Sequence, residues 1–180
     1  MHLRRIVSCT AFLAASLALA CPAAAGFLNG VTSHDGVDVI AVGDSGMIFR
    51  SVDGGARAAK SYQGSAPLRS VAKQGLIILI VGDGGKILRS TNNGMTWSST
   101  IVAGTPQLLT VEMPTATVAF VVGSGGTLLR STNAGANWTA LTPGTSGTLR
   151  SLRFTSAANG WIVGDDGFIA STTNSGDTWT

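Results

Sequence analysis

The sequence predicts an all-β fold of the β-propeller class. Three observations carry that prediction: a motif repeated about every 40 residues, short apolar runs bounded by turn-forming residues, and an excess of glycine. The chain of 180 residues holds 24 Gly, where ordinary usage of about 7% would give roughly 13. Such an excess marks many tight turns. With 44% hydrophobic and only 12% charged residues, the composition excludes an intrinsically disordered chain. The glycines have no three-residue period, which excludes collagen.

The repeat fixes the organisation. Val42-Gly43-Asp44-Ser45-Gly46, Val81-Gly82-Asp83-Gly84-Gly85, Val122-Gly123-Ser124-Gly125-Gly126 and Val163-Gly164-Asp165-Asp166-Gly167 are one motif used four times, its leading glycines 39, 41 and 41 residues apart. Upstream of each lies a first apolar run, clearest in Leu68-Arg69-Ser70-Val71, Leu109-Thr110-Val111 and Leu149-Arg150-Ser151-Leu152. Downstream lies another, such as Ile87-Leu88-Arg89-Ser90. No run is spaced for an amphipathic helix. A period of about 40 residues with four short strands is the size of one propeller blade. The strands are expected at the Leu-Arg-Ser run, at the entry to the Val-Gly-Asp turn, at the Ile-Leu-Arg-Ser run, and after the Trp that follows it. The blades then span residues 27–66, 67–106, 107–147 and 148–180.

The second repeated motif has the form Ser-x-Asp-x-Gly-x-x-Trp. It occurs as Ser51, Asp53 and Gly55; as Ser90, Asn92, Gly94 and Trp97; as Ser131, Asn133, Gly135 and Trp138; and as Thr172, Asn174, Gly176 and Trp179. Such a box builds a hairpin turn. The Asp or Asn side chain bonds nearby backbone N–H groups, Gly takes a positive φ, and Trp packs the turn onto its blade. Asn replaces Asp in three boxes, and Ala58 stands where the first box would have Trp.

These boxes are the Asp-box or BNR repeat. Together with Gly160-Trp161-Ile162-Val163-Gly164-Asp165-Asp166-Gly167 they resemble the photosystem II stability/assembly factor family over roughly residues 27–180. Similar repeats occur in sialidases, other glycosidases and sortilin-type receptors. The resemblance implies a propeller typically of seven blades and a basic surface that contacts a photosystem II reaction-centre precursor. Four repeats fall short of seven, and the last stops one residue after Trp179, before a fourth strand. The expectation is therefore an incomplete propeller: part of a larger one, or a chain that pairs with another copy.

Residues 1–25 read as a secretory leader. Arg4 and Arg5 precede an uncharged run from Ile6 to Ala20, whose length suits a signal peptide and is short for a membrane span. Ala23-Ala24-Ala25 is a cleavage site of ordinary export; Ala18-Leu19-Ala20-Cys21 resembles a lipoprotein box that would lipidate Cys21; an uncleaved anchor is a third reading. The expected compartment is the periplasm or a lumen like that of thylakoids, with membrane attachment only through a lipidated Cys21. Removing Arg4 and Arg5 reduces the basic count from 12 to 10 against nine acids. A net charge of +1 gives no warrant for nucleic-acid binding.

The inventory for chemistry is sparse. An exo-sialidase needs an arginine cluster, a Tyr nucleophile with a Glu partner and an acid Asp; here Tyr62 and Glu112 are the only residues of their types, in different repeats. Asp165-Asp166 occupies a slot filled elsewhere by turn residues. His34 is the one histidine outside the leader, without ligand spacing for a metal. No catalytic residue, metal or cofactor is expected. Arginine is the polar feature that repeats: Arg50, Arg89 and Arg130 precede the box serine, and Arg69 and Arg150 share a place in the first strand. They form either a basic arc for an acidic partner segment or structural pairs with neighbouring carboxylates. The sequence thus points to a non-catalytic exported platform for a protein partner, such as a membrane-protein segment, with self-association as a further expectation. The alternative is a carbohydrate-active module.

Overall fold

A computed structural model describes residues 26–33 and 36–180; the leader with Cys21, and His34, lie outside the described residues. The fold is all-β. Strands β1 (Leu28–Ser33), β2 (Val39–Gly43), β3 (Met47–Ser51) and β4 (Ala59–Tyr62) form the first antiparallel sheet in chain order. The second holds β5 (Leu68–Gln74), β6 (Ile77–Gly82), β7 (Lys86–Ser90) and β8 (Ser98–Ile101); the third holds β9 (Leu108–Glu112), β10 (Ala119–Gly123), β11 (Leu128–Ser131) and β12 (Thr139–Ala140). The fourth has three strands, β13 (Leu149–Phe154), β14 (Gly160–Gly164) and β15 (Ile169–Thr172). Beyond β15 the backbones of Ser171 and Thr180 exchange two hydrogen bonds, of 2.7 and 2.9 Å.

Each sheet is a blade of an incomplete propeller. The first strands of successive blades are neighbours, β1 with β5, β5 with β9 and β9 with β13, so they line the inner side. Between them run hydrogen bonds: the Val111 N–H donates to Ser70 Oγ over 3.3 Å, Thr110 Oγ1 to the Arg150 carbonyl over 3.1 Å, and Gln74 Nε2 to the Met113 carbonyl over 3.2 Å.

Two glycines of the Val-Gly-Asp-x-Gly motif are there for different reasons. The first is extended, but its α-carbon approaches the inner strand: a Cβ on Gly123 would lie 2.1 Å from the Gln107 carbonyl oxygen, far inside contact distance. The last follows another left-handed residue, as Gly46 (φ 67°) follows Ser45 (φ 56°), so the turn demands positive φ twice in succession.

The core sits between blades rather than within them. Strand side chains alternate faces, so Ile40, Val42 and Ile48 of blade 1 meet Leu68, Val71, Ile78, Ile80 and Leu88 of blade 2. Leu79, Val81 and Ile87 of blade 2 meet Leu108, Val111, Val121 and Leu129 of blade 3. Phe120, Val122 and Leu128 of blade 3 meet Leu149, Leu152, Phe154 and Ile162 of blade 4. The tryptophans correct one sequence expectation. Trp97, Trp138 and Trp179 pack not on their own blade alone but against the cluster shared with the preceding blade. Trp179 stands edge-on to Phe120 of blade 3, ring centres 6.2 Å apart.

Candidate binding surface

The four boxes share one set of hydrogen bonds. In the first, Ser51 Oγ donates to Asp53 Oδ1 over 2.8 Å and accepts the Gly55 N–H over 2.8 Å, while Asp53 Oδ1 accepts the Arg57 N–H over 2.9 Å. Ser90 and Asn92 do the same with Gly94 and Thr96, Ser131 and Asn133 with Gly135 and Asn137, and Thr172 and Asn174 with Gly176 and Thr178. An amide oxygen accepts as a carboxylate oxygen does, so Asn preserves the turn. The Arg57 N–H, then the Ser51 hydroxyl, hold the Asp53 carboxyl below the usual carboxylate range. Gly55, Gly94, Gly135 and Gly176 all have positive φ. At Gly176 a Cβ would lie 2.5 Å from the Phe120 ring, so this glycine also permits the blade contact.

The arginines divide into two groups. Arg50, Arg89 and Arg130 reach from the third strand of one blade to the box of the next. Arg89 Nε donates to the Ala134 carbonyl over 2.8 Å. Arg130 pairs with Asp177 and lies 5.8 Å from the centre of the Phe120 ring. Arg50 lays its aliphatic stem along Gly94, where a Cβ would sit 3.2 Å from its Cδ. These side chains clasp adjacent blades.

Arg69 and Arg150 lie on the inner strands, each beside the Val-Gly-Asp turn of its own blade. Arg69 holds Asp83 with two bonds of 2.8 and 2.6 Å, and Arg150 holds Asp165 with two of 2.6 and 3.2 Å. The Arg150 guanidinium draws the Asp165 carboxyl below its ordinary value. In blade 1 Asn29 takes this place, donating to Asp44 over 3.1 Å and to the Leu68 carbonyl of blade 2 over 2.9 Å. In blade 3 Leu109 takes it, and Ser124 Oγ accepts the Gln107 N–H over 2.9 Å. Asp166 has φ 56° in its turn, which makes Asp165-Asp166 a turn rather than a carboxylate pair.

Sequence reasoning missed Arg153. It shares β13 with Arg150, its side chain is 81% exposed, and it pairs with Glu112 over 3.2 Å. Glu112 Oε2 also accepts the Phe154 N–H over 2.9 Å. Burial pushes the Glu112 carboxyl above its ordinary value, against the lowering pull of that bond and of Arg153. The run Leu149-Arg150-Ser151-Leu152-Arg153-Phe154 carries the signal, since every residue in it belongs to an inner strand. Tyr62 and Glu112 are not brought together: Tyr62 is on the outermost strand of blade 1 and Glu112 on the innermost of blade 3. Among the described residues no three His, Cys, Asp or Glu side chains are grouped to hold a metal, and no helix is long and apolar enough to cross a membrane.

Inner strands bearing arginine–carboxylate pairs, on a scaffold of repeated turns, define an incomplete propeller with paired charges along its inner side. A family model described as Photosynthesis system II assembly factor YCF48 matches residues 31–157, well over half of the sequence, and the chain belongs to that family. Solved structures share the fold. YCF48 from Cyanidioschyzon merolae superposes with a TM-score of 0.70 at 21% identity, over 86% of this chain and 55% of that one. A structure of YCF48 bound to a D1 peptide gives 0.69 at 22% identity, over 84% and 51%. The Niastella koreensis GH74 enzyme gives 0.62 at 24% identity, over 86% and 24%. The chain thus spans about half the length of the two YCF48 structures. No protein of curated function matches the sequence.

Proposed function

We propose that this chain is an exported, non-catalytic propeller whose inner surface holds an extended, acidic segment of a membrane-protein subunit, in the manner of a photosystem II assembly factor. The observation that carries the reading is the placement of Arg150 and Arg153 on β13, with side chains 61% and 81% exposed. Each has a carboxylate partner, Asp165 or Glu112, that an incoming carboxylate can displace. Guanidinium groups recognise carboxylates by paired N–H donors. The Arg150–Asp165 pair is exposed on both sides and such pairs contribute little to stability, so exchanging its carboxylate for another costs little. Support for the partner class comes from the relative bound to a D1 peptide. Support for export comes from the leader-like residues 1–25, with a periplasm-like or lumenal destination and attachment to a membrane only through Cys21.

The test is a fluorescence-anisotropy titration of a labelled D1 peptide with the full chain. Saturable binding is expected, weakened at least about tenfold in Arg150→Glu/Arg153→Glu, since reversing two charges removes attraction and adds repulsion. Arg57→Glu, on the box of blade 1, should bind as the parent does. Equal binding by parent and double variant contradicts the reading. Hydrolysis of an aryl glycoside that disappears in Glu112→Gln would replace it with the carbohydrate-active alternative.

A further inference from the structure

Every inner strand slips by one residue at the same place. In β1 the ladder steps from Leu28 to Gly30, in β5 from Leu68 to Ser70, in β9 from Leu108 to Thr110 and in β13 from Leu149 to Ser151. Asn29, Arg69, Leu109 and Arg150 are the residues left out of it. Such a bulge re-aims the side chain it frees. In three blades that side chain turns to the aspartate of the Val-Gly-Asp turn, Asn29 to Asp44, Arg69 to Asp83 and Arg150 to Asp165.

Blade 3 keeps the bulge and gives up the pair. Both partners differ there, with Leu109 in place of the polar residue and Ser124 in place of the aspartate. Ser124 still accepts the Gln107 N–H, as Asp44 accepts the Phe27 N–H in blade 1, so the turn is held without Leu109. The core does not use Leu109 either. It is half-buried and, among the described residues, joins none of the three apolar clusters between blades.

The bulges of blades 2, 3 and 4 form a row. Residues beside them bond from strand to strand: the Val111 N–H donates to Ser70 Oγ, and Thr110 Oγ1 to the Arg150 carbonyl. The row therefore runs from a guanidinium through an apolar side chain to a second guanidinium, with the side chains of Arg69 and Arg150 34 and 61% exposed.

We propose that Leu109 sets specificity at the inner surface: it takes an apolar side chain of the bound segment while Arg69 and Arg150 take a carboxylate on either side. The inference rests on the acidic-segment reading above and adds the pattern of that segment. Side chains on one side of an extended chain recur every second residue, so the recognised sequence is acidic-x-apolar-x-acidic. A carboxylate in the middle place would lose water against Leu109 and gain no guanidinium, which adds rejection to attraction.

The test is fluorescence anisotropy of the full chain with three labelled heptapeptides: Gly-Asp-Gly-Leu-Gly-Asp-Gly, and the forms with Ser or Asp in place of Leu. The parent should bind the Leu form at least about fivefold more tightly than the Ser form, through burial of the added apolar surface. Leu109→Ser should bring these two forms within about twofold of each other. Leu109→Arg/Ser124→Asp copies the pair of blade 2 into blade 3 and should bind the Asp form more tightly than the Leu form. Circular dichroism checks that each variant is folded. Saturable binding of the Leu and Ser forms with equal affinity by the parent overturns the role of Leu109 and leaves the acidic-segment reading standing. A preference for Leu that survives in both variants places the apolar contact elsewhere and also overturns it. A parent that binds the D1 peptide but none of the three heptapeptides contradicts the pattern; one that binds neither contradicts the acidic-segment reading as well.

Discussion

Arg130 and Arg150 belong to neighbouring blades of the same sheet pattern and do opposite things. Arg130 crosses to the next blade, lies over Phe120 and pairs with Asp177, its side chain only 21% exposed. Arg150 stays within its own blade, pairs with Asp165, and is 61% exposed. The lesson is that a residue repeated in a propeller repeats a contact. A position repeated in the third strand of three blades faces the next blade, and the arginine there is consumed in holding the arc together. The inner-strand position lies beside the Val-Gly-Asp turn of its own blade, where Asn29, Arg69, Leu109 and Arg150 follow one another and no shared contact between blades fixes the residue type.

Four substitutions sharpen that contrast. Phe120→Ala empties the centre of the cluster shared by blades 3 and 4 and should lower unfolding free energy by about 3–5 kcal/mol, read by urea denaturation of the full chain. A loss below about 1 kcal/mol would mean that the blades do not depend on this interface. Arg130→Ala should cost about 1–2 kcal/mol through the lost ion pair and ring contact. Arg150→Ala should fall within about 0.5 kcal/mol of the parent; equal losses at Arg130 and Arg150 would erase the distinction between the two groups.

The smallest effect is on pH dependence, through Glu112. Its folded carboxyl is raised above the ordinary 4.5, chiefly by burial. The folded state therefore binds the proton more tightly than the unfolded state, and stability contributed by this group declines as pH rises from the ordinary value through the folded one. Glu112→Gln keeps an oxygen for the Phe154 N–H and should abolish that decline above the ordinary carboxylate range. A slope unchanged by the substitution would place its origin elsewhere.

Most of the blade order was legible because it is local. The 39- and 41-residue spacing, the glycines at the turns and the apolar runs mark strands that pair with their sequence neighbours. What lies between blades was not legible in the same way. Trp179 meets Phe120, and Arg130 meets Asp177 47 residues away; neither contact leaves a mark within a single repeat. Reading each repeat as an isolated blade placed the tryptophans on their own sheets and treated all five arginines as one group, either a basic arc or structural pairs with neighbouring carboxylates, without dividing them. Arg153 went unnoticed because it does not repeat: the inner strands carry Thr32, Ala72 and Glu112 at its place.

The central claim is that the strand-to-box arginines hold the fold while the inner-strand arginines hold the partner. One paired measurement tests it directly: thermal melting and D1-peptide anisotropy on Arg89→Ala/Arg130→Ala and on Arg150→Ala/Arg153→Ala, both in the full chain. The account predicts a lowered melting temperature for the first pair, with unchanged affinity wherever it is folded, and an unchanged melting temperature with weakened peptide binding for the second. Weakened binding by the first pair below its melting transition, with none by the second, would contradict it.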